Sequence, residues 1–200
     1  MLNLKKFLVK KLIEINQQLV IDTAIKNCHV TGLHSFIINE NPKIRLFLAD
    51  KTCSLRLPFD FKKPYLTIHP HKHNDLFIPL TKSKIFHHIY KLVEYTTENS
   101  ISLETNMYNR LDIKKENMKG TCGGSDWLEY IGPTQKTFLK SNELHTVSIF
   151  GLDKCAWIII EIGADEDFYQ ISYGGEQITL DCYQTFTNPI EYIKDFLEIK

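Results

Sequence analysis

The sequence predicts an all-β fold, an antiparallel sandwich or closed barrel with a helix at each end. Two observations carry the β part: a succession of short segments rich in β-branched and aromatic residues, and turn residues between many of them. A third excludes the main rival. Between about residues 33 and 182 no helical period separates the segments, whereas parallel strands need crossover connections. At 200 residues and 43% hydrophobic composition, the chain suits one domain with its own core.

The first element spans residues 1–20, where Leu4, Phe7, Leu8, Leu12, Ile15 and Leu19 recur at helical spacing with lysines and glutamines opposite. Such a helix can cap the domain, sit in a dimer interface or lie on a membrane surface. From about residue 33 the β region reads in order as HSFIINE, KIRLFLA, CSLRLPF, YLTIHPH, DLFIPL, KIFHHIYKLVEY, ISLETNMYNRLDI, DWLEYIG, TQKTFLK, LHTVSIF, CAWIIIEIG and QITLDCYQTF. NENPK, TENS, GTCGGS, GPT, GLDK and YGG supply turns between them. The last element, residues 188–199, has Asn188 as N-cap, Pro189 at the first helical position, and Ile190, Ile193, Phe196 and Leu197 at helical spacing.

Charge and cysteine usage narrow the function classes. Lys+Arg and Asp+Glu each total 24, so the formal net charge is zero and nothing global favours DNA, RNA or an anionic membrane. The five cysteines are scattered without C-x-x-C spacing, as expected of reduced thiols. Lys5, Lys6, Lys10 and Lys11 interrupt the N-terminal apolar run, and no run approaches the roughly 20 residues that span a bilayer. The expectation is a soluble cytoplasmic protein with a small-molecule partner, no nucleic acid and no membrane.

Chemistry concentrates in TIHPHKHND. In a strand, His69, His71 and His73 share one face, and imidazole nitrogens suit Fe, Zn, Ni and Cu. Pro70 removes a ladder donor, which places the segment at an edge or a bulge. Asp75 follows His71 by four residues and offers a carboxylate, and His145 enters an apolar strand much later in the chain. Against these stand a polar strand that merely contains histidine and a hydrogen-bonded core His145.

The pattern resembles the cupin superfamily. Its first motif is Gly, five residues, His-x-His, three or four residues, Glu, six residues, Gly. Its second is Gly, five residues, Pro-x-Gly, two residues, His, three residues, Asn. His69 and His71 match the paired histidines and Asp75 the acid, while Lys63 and Lys82 stand at the glycine positions. KSNELH matches the spacing of Pro-x-Gly-x-x-His: Lys140 replaces proline, Asn142 replaces glycine where a turn needs positive φ, and His145 keeps the histidine. Ile149 stands in place of the final Asn. Pairing His71 with His73 instead leaves no carboxylate at the acid position, so His73 becomes a neighbour of the ligands at the pocket rim.

The resemblance implies a jelly-roll barrel over about residues 33–182 holding a divalent metal by His69, His71, His145 and Asp75. Fe(II) is the first candidate, with Zn, Ni or Mn as others. It implies a dioxygenase acting on a small molecule, in a layout similar to the cysteine dioxygenases, with a homodimer as a further expectation. Asp is one methylene shorter than Glu, so Asp75 either completes the ligand set or orients a histidine. Arg45, Arg56 and Arg110 are the arginines, and none sits in a recognisable substrate motif. The alternatives are a non-catalytic ligand-binding cupin and a metal-independent isomerase or epimerase in which His88 and Tyr90 handle protons. KGTCGGSDW lacks the Lys-Ser/Thr ending of a phosphate loop and reads as a flexible loop, with Cys122 a loop thiol.

Overall fold

The computed structural model describes residues 2–28, 31–64, 66–108, 121–151, 153–163, 170–173 and 185–199. It contains two antiparallel sheets. The first has six strands in the order β1 (Ile25–Cys28), β2 (Leu33–Glu40), β3 (Lys43–Ala49), β10 (Cys155–Ile162), β4 (Asn74–Pro79) and β8 (Phe138–Leu139). The second has five, in the order β11 (Gln170–Tyr173), β6 (Ser100–Tyr108), β7 (Thr121–Thr134), β5 (Lys84–Leu92) and β9 (Leu144–Phe150). The described helices are α1 (Leu2–Ile15), α2 (Gln17–Asp22) and α3 (Pro189–Leu197).

Strand alternation assigns each side of the first sheet a job. In β3, Ile44, Leu46 and Leu48 turn to one face and Arg45, Phe47 and Ala49 to the other. The first set joins Phe36, Ile38 and Ile158 under the helices, against Val9, Ile13, Val20, Ile193, Phe196 and Leu197. The opposite face contributes Ala49, Phe77, Trp157 and Ile159 to a core shared with Ile149 of the second sheet and with Ile85, Ile89 and Val147 packed around it. CAWIIIEI is almost continuously apolar because both of its faces are covered.

The helices follow this burial. Asn188 caps α3, its side chain accepting from the Glu191 amide, and Ile193, Phe196 and Leu197 are buried as their spacing predicts. The N-terminal stripe is corrected: Leu4, Phe7, Leu8 and Ile15 are exposed, and Val9, Ile13 and Val20 are the buried positions. The helix also breaks at Asn16, whose side-chain amide donates to the Ile38 carbonyl at 3.0 Å and docks the junction onto β2.

Other expectations give way where loops outbid strand propensity. Residues 53–59 do not form a strand; Ser54–Arg56 make one 3₁₀ turn. Ser54 donates to the Thr31 carbonyl, and the Arg56 guanidinium holds the carbonyls of Ala49, Asp50, Gly151 and Asp153. YLTIHPH is no continuous strand either. Ile68 bridges Tyr173 of β11 and His69 bridges His145 of β9, so this short segment bonds both edges of the five-stranded sheet before Pro70 ends the pairing. Thr121–Ser125, expected as a loop, belong to β7, whose backbone pairs with β6. The strand expected over 177–186 falls largely outside the described residues, and the observed edge strand is β11. No described helix is long and apolar enough to cross a membrane.

Candidate metal centre

The register of the six-stranded sheet builds one wall of the site. Arg45 lies beside Ile159, which lies beside Phe77; Glu161 lies beside Asp75 in the next row on the same face. The His69–His145 bridge brings the TIHPH segment against β9. Asn142, at φ 65°, makes the turn before β9, and its amide donates to the His71 carbonyl at 3.0 Å. Residues 69–71 and 145 therefore meet through backbone hydrogen bonds before any ligand is considered.

His69, His71 and His145 form a set of donors all within 4.8 Å of one another. His71 Nε2 stands 3.1 Å from His69 Nε2 and 3.3 Å from His145 Nε2. Nitrogens about 2.1 Å from a shared ion would be about 3.0 Å apart at right angles and about 3.4 Å apart at the tetrahedral angle. The spacing fits a shared cation.

Each ring also has its other nitrogen engaged. His69 Nδ1 lies 3.1 Å from the Thr67 carbonyl, His71 Nδ1 bonds Asp75 Oδ2, and His145 Nδ1 lies 3.3 Å from His87 Nδ1. A carbonyl and a carboxylate can only accept, so His69 and His71 carry their protons on Nδ1 and direct Nε2 lone pairs at the cluster. Burial pushes His145 well below the ordinary imidazole range, reinforced by neighbouring His71, His69 and His87. Neutral imidazole is the ligating form.

Asp75 is fully buried, and its second oxygen lies 2.7 Å from His73 Nδ1. His73 Nε2 in turn lies 3.0 Å from Glu161, whose other oxygen accepts from Arg45 Nε at 2.8 Å. The sequence-selected Asp75 thus joins the histidines through ring nitrogens that face away from the Nε2 cluster. His71, His73 and Asp75 make a second close group of possible donors. A cavity of about 210 Å³ opens over these residues, lined by His69, His71, Arg45, Lys72, Phe47 and Ile159 among others. Beyond Arg45 Nε, the guanidinium has no hydrogen-bond partner among the described residues.

His88 and Tyr90 lie elsewhere. His88 bonds Tyr130 Oη at 2.9 Å and Ser148 Oγ at 2.7 Å and stacks on Phe59. Tyr90 donates to the Phe61 carbonyl at 3.4 Å and packs with Tyr130. Sequence reasoning passed over His87 and Arg45. His87 sits on the face of β5 opposite His88, and the one available signal was that it shares this face with Ile85 and Ile89. Arg110 lies outside the described residues.

The ionisable groups give the metal-free fold a pH optimum. Burial holds both His87 and His88 down at about 4, so between 4 and 6.5 the unfolded chain binds protons that the folded chain refuses. Stability therefore rises with pH across that window. Burial alone would lower His73, but Asp75 and Glu161 outweigh it and hold it up at about 9. Its contribution is present below 6.5 and is lost as pH rises through 9. Burial would raise Glu161, yet His73 and Arg45 hold it at about 2, so its contribution is lost only as pH falls from 4.5 towards 2. Urea unfolding of the metal-free protein should show maximum stability near neutrality, falling by on the order of 3 kcal/mol by about pH 4.5. An unfolding midpoint that does not move between these conditions would refute the assignment of buried neutral histidines.

No protein-family model, curated protein or solved structure matches the chain.

Proposed function

We propose that the protein is a metal-dependent oxidoreductase of the cupin type, a jelly-roll barrel using Fe(II) and O₂ on a small acidic molecule. The observation that carries this reading is the convergence of three Nε2 atoms with the opposite ring nitrogens engaged, two of the rings, His69 and His71, lining a cavity. Three neutral imidazoles leave a divalent ion its full charge and leave coordination positions open, and they suit iron, zinc, copper or nickel. When bound, Fe(II) supplies O₂ activation and polarises a coordinated substrate.

The chain's own residues do the rest. Asp75 holds the proton on His71 Nδ1 and orients the ring, acting behind the ligand rather than as one. Glu161 fixes the Arg45 guanidinium through Nε, and the terminal amino groups, which have no partner among the described residues, can take a carboxylate in the cavity. Phe47 and Ile159 supply apolar wall. At about 210 Å³ the space is smaller than the roughly 300 Å³ where drug-sized sites begin, which favours a small substrate. The isomerase alternative would rely on His88 and Tyr90, whose polar atoms are committed to Tyr130, Ser148 and the Phe61 carbonyl.

The test is O₂ uptake by Fe(II)-reconstituted, untagged protein against a panel of thiols and small carboxylic acids. The expected result is substrate-dependent uptake, with Arg45→Gln raising KM by about 10-fold or more through loss of a charge-assisted contact. Metal-loaded protein that binds a panel member without consuming O₂ would replace this reading by a ligand-binding one. Failure to take up stoichiometric metal would end it.

A further inference from the structure

We propose that His87 is a positioning residue that sets the tautomer of His145, an inference that rests on the metal-centre reading above. His87 is wholly buried in β5, and its register partner on β9 is Val147, two residues from His145. The two histidines are therefore diagonal neighbours on one face, and their Nδ1 atoms meet at 3.3 Å.

Two imidazole nitrogens bond only when one carries a proton and the other a lone pair. Ligation through Nε2 requires His145 to carry its proton on Nδ1. His145 Nδ1–H then donates, His87 Nδ1 accepts, and the proton of His87 resides on Nε2. That Nε2 is buried and makes no hydrogen bond among the described residues, and the ring packs edge-on to Phe77 at 4.4 Å between centroids. Buried polar atoms are rarely left unpartnered, and an apolar side chain would fill this position without an orphan. A histidine here is explained by what its other nitrogen does.

The three proposed ligands thereby have three different supports: a backbone carbonyl behind His69, a carboxylate behind His71 and a neutral imidazole behind His145. An imidazole lone pair is a stronger acceptor than an amide carbonyl and brings no negative charge. His87 thus strengthens the donor power of His145 and fixes its ring plane while leaving the charge of the centre unchanged.

Cobalt(II) provides the test, because its paramagnetism shifts the ring N–H protons of ligating histidines away from the remaining proton spectrum. Wild-type protein loaded with cobalt(II) should show three solvent-exchangeable shifted resonances. His87→Leu should lose one of them to rapid exchange and bind cobalt about 10- to 100-fold more weakly. His87→Asn, whose Oδ1 can accept in place of Nδ1, should keep all three, with one displaced, and recover most of the affinity. His87→Leu with wild-type affinity and three unaltered resonances would overturn the inference, and so would an Asn variant, should the Leu variant fail to fold, with a spectrum identical to wild type. Wild-type protein that takes up no cobalt would overturn the metal-centre reading and this inference with it.

Discussion

Replacing His145 by alanine should remove stoichiometric metal binding, the largest effect expected of any single substitution. Metal sites with four protein ligands are worth about 10–16 kcal/mol, or about 3–4 kcal/mol per ligand, so the loss is about several hundred-fold in affinity. His145 is 3% exposed and its Nε2 lies beside His71 Nε2, so its removal takes away the buried member of the donor set. His88→Ala is the control. Its ring bonds Tyr130 and Ser148, so that variant should keep its metal. Metal content and a titration with the free ion check both variants, and a His145→Ala protein with wild-type metal would remove the centre from consideration.

Phe36→Ala should cost about 3–5 kcal/mol of stability, a large share of the roughly 5–15 kcal/mol that holds a domain together. Phe36 is fully buried between the six-stranded sheet and the helices, with its ring 5.1 Å from that of Phe186. Alanine leaves a cavity in a layer where β2, β3 and α3 meet and none can move alone. The metal affinity of whatever remains folded should be nearly unchanged, because Arg45 and the cavity lie on the opposite face of β3. Urea unfolding at constant m-value measures the cost, and a change below about 1 kcal/mol would mean that the layer repacks.

These two predictions differ in how visible their residues were in the sequence. Phe36 stands in HSFIINE, a segment whose composition marks it as a strand, and any such strand must bury one face. His69 and His71 were visible through their period-two spacing, and Asn142 through its fitness for the positive φ that it adopts. His145 stood out as a lone imidazole in an apolar strand. His87 and Arg45 did not stand out, because each looks like an ordinary strand residue until its neighbour is known. His87 meets its neighbour diagonally across β5 and β9, and Arg45 meets Glu161 of β10, 116 residues away in the chain. The reading of residues 53–59 as strand failed for a related reason: Arg56 holds the nearby carbonyls of Ala49 and Asp50 together with those of Gly151 and Asp153, which lie far away in the chain.

Local pattern was sufficient for the sheet-rich class, most strand segments, the capped C-terminal helix and the histidines that could serve as donors. These follow from side-chain alternation, turn chemistry and capping, which act over a few residues. Register and packing supplied what spacing could not: that His69, His71 and His145 aim Nε2 at one point, and that Asp75 meets His71 from behind. Which nitrogen of a ring faces a cavity depends on what the other nitrogen bonds, and those partners come from different strands.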